Sequence, residues 1–292
     1  MPARPATKAR KLRAESNVPP PKEPSERALR LANTLSERLK GRAAKIRFDF
    51  VRNPEGVPGP PPLAQLLRGG RGGDVRLKLL LSLLWVAGGG SDDRHKTNAY
   101  PARAWAGLLD LPDPETNGQR RIRDAVQWLE AKEFVRTDKH PGKPMALQLL
   151  LEDGSGKTYF DPAEHAHKKK TGKQAMTGSD FYISLPNSFW TDGWLVTLSG
   201  RALAMLLVLA EVTFSEREWD WVSPARARQR YGLSEDTWSR GIAELKERGI
   251  IEIRKRPVGE DEFEFHRVRN TYKVHRDESG WIVLPARPAP RF

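Results

Sequence analysis

Two stretches of the chain combine helical periodicity with a following pair of apolar strands. In the first stretch, apolar side chains cover most of the circumference of a helix over 74–87, which predicts a buried helix. A shorter helix is expected to hold Pro101 in its first turn, and a third helix is expected over about 113–132. The apolar residues at 134–135 and 145–151 predict two strands of a hairpin.

The same order of elements recurs in the second half of the chain. Gly249 is expected to end the last helix of this half, and 250–256 and 263–274 predict a second hairpin. A short strand is expected at 221–222. Each of the three helices follows a serine that can act as its N-cap, namely Ser199, Ser223 and Ser234.

An offset of 116 residues aligns the two stretches. Every interior position of one stretch then meets a small or apolar residue of the other, which indicates a diverged structural repeat. The aligned pairs are Ile122 with Trp238, Ala125 with Gly241, Val126 with Ile242, Leu129 with Leu245, Phe134 with Ile250 and Val135 with Ile251.

These patterns predict a mainly α fold with small β hairpins and two domains. The predicted segments are a disordered basic arm (1–24), an amphipathic helix and Pro/Gly-rich connection (25–73), a first domain (74–153), a polar linker (154–179), a second domain (180–277) and a C-terminal tail (278–292). Apolar residues of 181–194 are expected to pack onto the second domain.

The predicted helix over 25–40, which Ser25 can cap, has a single apolar stripe. A single stripe on a short helix needs a partner. The body of the chain and a second subunit are both candidates, so a homodimer through this helix is one expectation.

Charge and composition narrow the classes of partner. The 50 Lys and Arg against 37 Asp and Glu leave a net charge of +13, which favours a polyanion, with nucleic acid ahead of an anionic membrane. The chain has no cysteine, which suits a cytoplasmic protein, and its longest apolar runs are too short to span a membrane. No metal or cofactor is expected.

A turn with the sequence Gly-Leu-Ser at 232–234 joins the last two predicted helices. The second of these helices ends in Leu245 and Gly249, followed by the paired aliphatics Ile250 and Ile251. Over about 199–274 this pattern resembles the winged helix-turn-helix superfamily, and the first stretch is similar through element order and core spacing alone. The resemblance implies two tandem winged helix-turn-helix domains that bind double-stranded DNA, with the helix after the turn in the major groove.

The resemblance places the contacting positions of the second domain on Glu235, Asp236, Ser239 and Arg240, two of which are acidic. Carboxylates at the start of a helix repel nearby phosphates, but they also accept from the amino group of cytosine or complement the helix dipole. Base reading by this helix is therefore an open alternative. The corresponding helix of the first domain carries more positive charge and therefore suits DNA better. Helical periodicity places Thr116, Arg120, Arg123, Asp124 and Gln127 on one face with Arg121 on its flank. We expect Arg120 and Arg123 to contact bases and Arg121 the backbone.

The hairpins supply further candidate DNA contacts. Lys139, His140 and Lys143 bring positive charge to the tip of the first hairpin, whereas three acidic residues occupy the tip of the second. Along the strands of the second hairpin the candidates are Arg254, Lys255, Arg267 and Arg269, with Lys273 on the same strand face as Arg269.

Two other chemistries are considered and rejected. The sequence Gly-Ser-Gly-Lys-Thr at 154–158 resembles a phosphate-binding loop, but residue 151 is Leu instead of Gly, and Pro162 is expected to disrupt the helix that should follow. His165 and His167 make a weak metal site in a lysine-rich segment. We find no recognisable catalytic set, so the chain is not expected to be an enzyme.

Three functions remain open. A transcriptional regulator is favoured because winged helices most often serve regulation. Such a protein is expected in the cytoplasm, associated with the nucleoid. Tandem winged helices with a basic arm also look like the replication initiators of plasmids and mobile elements, which bind repeated origin sites. The acidic second helix favours a protein-binding assembly module instead.

Overall fold

The computed structural model describes residues 22–54, 56–68, 72–87, 100–138, 145–177, 180–214, 219–257, 268–278 and 280–286. Within these ranges the chain is mainly helical with small antiparallel pairs of strands, which confirms the predicted class. The expected arm lies outside the described residues except at 22–24, and the C-terminal tail is described only in part.

The N-terminal segment contains more structure than its sequence predicts. Its elements are helix α1 (Glu26–Arg38), strand β1 (Ala44–Arg47) and the short helices α2 (Phe48–Val51) and α3 (Pro62–Leu67). The Ser25 hydroxyl caps α1 by accepting from the N–H of Ala28, as expected. Beyond α1 the pattern predicts only a connection, yet Ile46, Phe50 and Leu66 are fully buried.

The first helical unit follows. It comprises helices α4 (Gly73–Ala87), α5 (Ala102–Leu108) and α6 (Asn117–Ala131) and the antiparallel strands β2 (Val135–Asp138) and β3 (Ala146–Leu149). Helix α6 begins later than predicted. Asp113 lies in the left-handed region with φ of 47°, and its carbonyl accepts from the N–H groups of Thr116 and Gly118 in a turn that precedes the helix.

A segment with four short elements separates the two units. These are helix α7 (Pro162–Thr171), strand β4 (Tyr182–Leu185) and helices α8 (Ser188–Thr191) and α9 (Trp194–Thr197). The expectation that Pro162 prevents a helix here is wrong. Pro162 is the first residue of α7, where no N–H is needed, and the Asp161 carboxylate caps the helix by accepting from two backbone N–H groups.

The second helical unit has the same element order as the first. It comprises α10 (Gly200–Val212), α11 (Pro224–Tyr231), α12 (Glu235–Glu247), β5 (Ile251–Pro257) and β6 (Val268–Val274). All three predicted serine N-caps are confirmed. The strand expected at 221–222 is instead a single bridge, in which the Asp220 backbone pairs with Tyr272 of β6.

The two units also share a local geometry at the junction of helix and hairpin. Glu133 and Gly249, which the 116-residue offset aligns, both have positive φ, 59° and 67°. In the first unit the N–H of the next residue donates to the carbonyl of Leu129, and in the second the equivalent N–H donates to that of Leu245. The same turn therefore leads from the third helix into the hairpin in both units.

A continuous core joins the units, because α4 and α10 are buried around most of their circumference and contact each other. Strands β1 and β4 pair beside this core, with Ile46 opposite Ile183. The segment 181–194 does not pack on the second unit alone. Trp190 of α8 stacks on Trp85 of α4 at 4.6 Å between ring centroids.

Helix α1 docks on the body of its own chain. Of the predicted stripe Ala28, Ala32, Leu35 and Leu39, the first three are buried and Leu39 is half-buried, and the helix contacts α5 and α8. The stripe that suggested a homodimer is therefore occupied within the chain.

Candidate nucleic-acid interface

The outward face of α6 carries the basic residues that the periodicity predicts. Arg120, Arg123 and Gln127 are exposed, and Arg121 is half-buried at the flank. Among the described residues none of the three arginines forms an ion pair, although Arg123 donates to the side-chain oxygen of Gln119 at 3.0 Å. No ion pair with a described residue neutralises their charges, although Asp124 is exposed on the same helical face.

A further arginine, absent from the sequence prediction, lies beside this face. The Arg76 guanidinium of α4 stacks over the Trp128 ring of α6 at 4.7 Å. Arg76 and Arg121 both line a pocket of about 180 Å³, and burial lowers the pKa of Arg76. Arg76 and Lys78 are the two basic residues of a helix that is mostly apolar, and a basic residue in such a helix is the signal that could have identified Arg76.

The equivalent face of α12 is electrostatically different. Arg240 Nε lies 2.7 Å from an Asp236 carboxylate oxygen, and Arg201 approaches the other oxygen at 3.5 Å. The Ser239 hydroxyl donates to the backbone carbonyl of Glu235 at 2.9 Å, within its own helix. Both predicted contacts on α12 are thus engaged by neighbours, and this face has less unpaired positive charge than the face of α6.

The outer face of the second unit's sheet presents aromatic residues that the sequence analysis missed. The Asp220 backbone exchanges two hydrogen bonds with Tyr272, at 3.2 and 2.8 Å. Successive side chains of extended backbone alternate, so Trp219 and Trp221 on either side of Asp220 point to the same face. Trp221 is 41% exposed.

Basic side chains lie against both indoles. Arg254 stacks on Trp219 at 4.0 Å from the ring centroid, and Arg269 stacks on Trp221 at 4.3 Å. The ammonium of Lys273 lies 6.0 Å from the Trp219 ring. We call these five residues the Trp-Arg face. Lys255, a further predicted contact, is exposed but points to the opposite side of the sheet by its register.

The remaining hairpin predictions lie outside the described residues. They are Lys139, His140 and Lys143 at the first tip, Arg267 in the second hairpin, and the acidic residues 260–262.

A buried carboxylate connects α11 to the N-terminal segment. Glu211 of α10 accepts from the Tyr231 hydroxyl and forms ion pairs with Arg52 at 2.7 Å and Arg230 at 2.9 Å. Burial, followed by the charge of Glu211, raises the pKa of Tyr231. With Arg226, these arginines line an open pocket of about 500 Å³. The network fixes α11 against α10 and the N-terminal segment.

The loop over 154–158 is a tight turn and not a phosphate-binding loop. Gly154 and Gly156 have positive φ, and the turn returns the chain so that Thr158 pairs with Leu150. The N-terminus of α7 is formed four residues after Thr158, and the Asp161 carboxylate covers it.

His165 has a structural partner. Its Nδ1 lies 2.9 Å from Asp180, whose other carboxylate oxygen accepts from Lys169 at 2.7 Å. Within the described ranges, no three His, Cys, Asp or Glu side chains are grouped to hold a metal ion. In the same ranges no helix is long and apolar enough to cross a membrane.

Comparisons with protein families, with curated proteins and with solved structures found no match to this chain.

Proposed function

We propose that the chain is a sequence-specific, double-stranded DNA-binding protein in which two winged-helix domains share one core and α6 is the principal DNA-contacting helix. In this proposal the protein is a transcriptional regulator. The observation that carries it is the outward face of α6, where three arginines lie without an ion-pair partner among the described residues, on the helix that follows the turn.

The chemistry of this face suits the major groove. Arginine donates two hydrogen bonds to the O6 and N7 atoms of guanine, and glutamine makes the equivalent pair with adenine. Arg120, Arg123 and Gln127 follow one another along the helix at three- and four-residue steps, so they project to one side. We assign the phosphate backbone contacts to Arg121 and Arg76, which lie on the flank. Helix α12 contributes less affinity because Asp236 holds Arg240.

The test is selection of bound duplexes from a random pool by the wild type and by the Arg120→Ala and Arg123→Ala variants. We expect each variant to bind the preferred duplex about 5- to 150-fold more weakly, since a bidentate base contact contributes about 1–3 kcal/mol. Preference at the contacted base pair should relax. Lys170→Ala, which removes an exposed charge from α7, is the control and should retain the preference.

Loss of affinity with an unchanged preference would mean that these arginines bind phosphates only. In that case a plot of the logarithm of the binding constant against the logarithm of the salt concentration should become shallower by about 0.9 for each lost phosphate contact. Absence of duplex binding at about 100 mM salt would reject the proposal as a whole.

One observation favours replication initiation as the second candidate. Because α4 and α10 share a core, the two units are held at a fixed spacing, and a fixed spacing suits neighbouring repeats of one site. Footprinting on duplexes with one or several copies of the selected site separates the candidates. Strong binding that requires repeats would favour the initiator, and full binding to a single palindrome would favour the regulator.

A further inference from the structure

We infer that the Trp-Arg face is a second nucleic-acid site, which binds single-stranded DNA or RNA by base stacking. This site is separate from the duplex site proposed on α6 and does not depend on it.

Charge on this side of the sheet favours a polyanion. The register of β5 and β6 places Arg256 opposite Arg269, and Arg254 and Lys273 occupy the same side by alternation. Glu252 is the single acidic strand residue on this side within the described parts of β5 and β6, and it lies 3.7 Å from Arg254. Among these described strand residues, four cations stand against one carboxylate.

The planar side chains of the face favour separated bases over a duplex. A guanidinium group lies over each indole, at 4.0 and 4.3 Å from the ring centroids, so the face carries two pairs of planar groups. Exposed bases stack on indole and on guanidinium planes, whereas the bases of a duplex stack on one another and are inaccessible. Site sizes of about 4–16 nucleotides are typical of such surfaces.

The face is also available. The helices of the unit pack on the other side of the sheet, where Ile251 of β5 and Val274 of β6 are buried. Trp221 remains 41% exposed on the side away from these helices. Base stacking would cover this ring without displacing any core residue.

The experiment measures fluorescence anisotropy of a labelled oligothymidine of about 15 nucleotides, which cannot form a duplex, against the full chain. We expect salt-dependent binding that Trp221→Ala weakens about 5- to 150-fold, the loss of one stacked base. Trp281→Ala is the matched control, because Trp281 is similarly exposed, at 39%, in the C-terminal segment. Arg269→Glu, which reverses the charge of the half-buried arginine on Trp221, provides a second test if Trp221→Ala unfolds.

Failure of the wild type to bind oligothymidine at about 50 mM salt would overturn the inference. Equal losses in Trp221→Ala and Trp281→Ala would overturn it as well. A loss of duplex affinity equal to the loss of oligothymidine affinity in Trp221→Ala would assign the face to the duplex site instead. Unchanged duplex binding by this variant, with loss of oligothymidine binding, supports two separate sites.

Discussion

The buried ion pair of Arg47 and Glu152 provides a quantitative test of how the N-terminal segment is held to the first unit. The guanidinium of Arg47 is 2% exposed and the carboxylate of Glu152 is fully buried, at 2.8 Å between Nη1 and Oε2. The backbone N–H of Arg47 donates to the other carboxylate oxygen at 3.0 Å, and Nη2 donates to the Phe160 carbonyl. Burial raises the pKa of Glu152, and Arg47 lowers it in part.

Replacing Arg47→Met leaves the carboxyl of Glu152 buried without its cation. Its pKa then rises further, so the folded chain binds a proton that the unfolded chain releases at neutral pH. Stability therefore falls as pH rises from the ordinary pKa of 4.5 through the folded-state pKa. Between pH 4.5 and pH 7 this amounts to at most about 3.4 kcal/mol, from about 2.5 units at 1.36 kcal/mol each.

The assay is urea unfolding followed by circular dichroism, for Arg47→Met and for the double variant with Glu152→Leu, which has no carboxyl to titrate. We expect the single variant to be less stable than the double by about 3 kcal/mol at pH 7 and by less than about 1 kcal/mol at pH 5. The free energy of unfolding of the double variant should be close to that of the wild type. An equal difference in the free energy of unfolding between the two variants at pH 5 and pH 7 would refute the reasoning.

Two further stability predictions concern the contact of α12 with α10. Glu244→Ala should lower the free energy of unfolding by about 2–3 kcal/mol, because the buried carboxylate accepts from both the backbone N–H and the hydroxyl of Ser199. Gly241→Ala should lower it by about 1–3 kcal/mol despite better helix propensity, because a Cβ would lie 2.7 Å from the Arg201 carbonyl oxygen. Lys246→Ala, exposed on the same helix, is the control for both in thermal and urea unfolding.

A Glu244→Ala variant as stable as the Lys246→Ala control would show that Ser199 is satisfied without the carboxylate. If Gly241→Ala were more stable than the wild type, the two helices would not approach as closely as the structure indicates.

The parts of the fold that follow local rules could be predicted from the sequence. Serine caps at Ser199, Ser223 and Ser234 depend only on a side chain and the N–H groups of the next turn, and all three are confirmed. The elements of the N-terminal segment could not be predicted in this way. Strand β1 has four residues, too few for a pattern, and it is defined by pairing with β4, far away in sequence.

The candidate sites likewise divide into features set by local sequence and features set by contacts between distant residues. The exposure of Arg120 and Arg123 follows from helical phase, so the periodicity predicted it. The stacking of Arg254 on Trp219 joins residues that are distant in sequence and meet only when the sheet forms. No local sequence pattern predicts such a contact, so the Trp-Arg face could be identified only from the structure.

The central claim is that α6, and not α12, is the principal DNA-contacting helix, and its most direct test is duplex binding by three proteins at about 100 mM salt. These are the wild type, the double variant Arg120→Ala with Arg123→Ala, and Arg240→Ala. We predict a loss of at least about 30-fold for the α6 variant and of less than about 3-fold for Arg240→Ala, whose charge Asp236 already pairs. A larger loss in Arg240→Ala than in the α6 variant would contradict the claim.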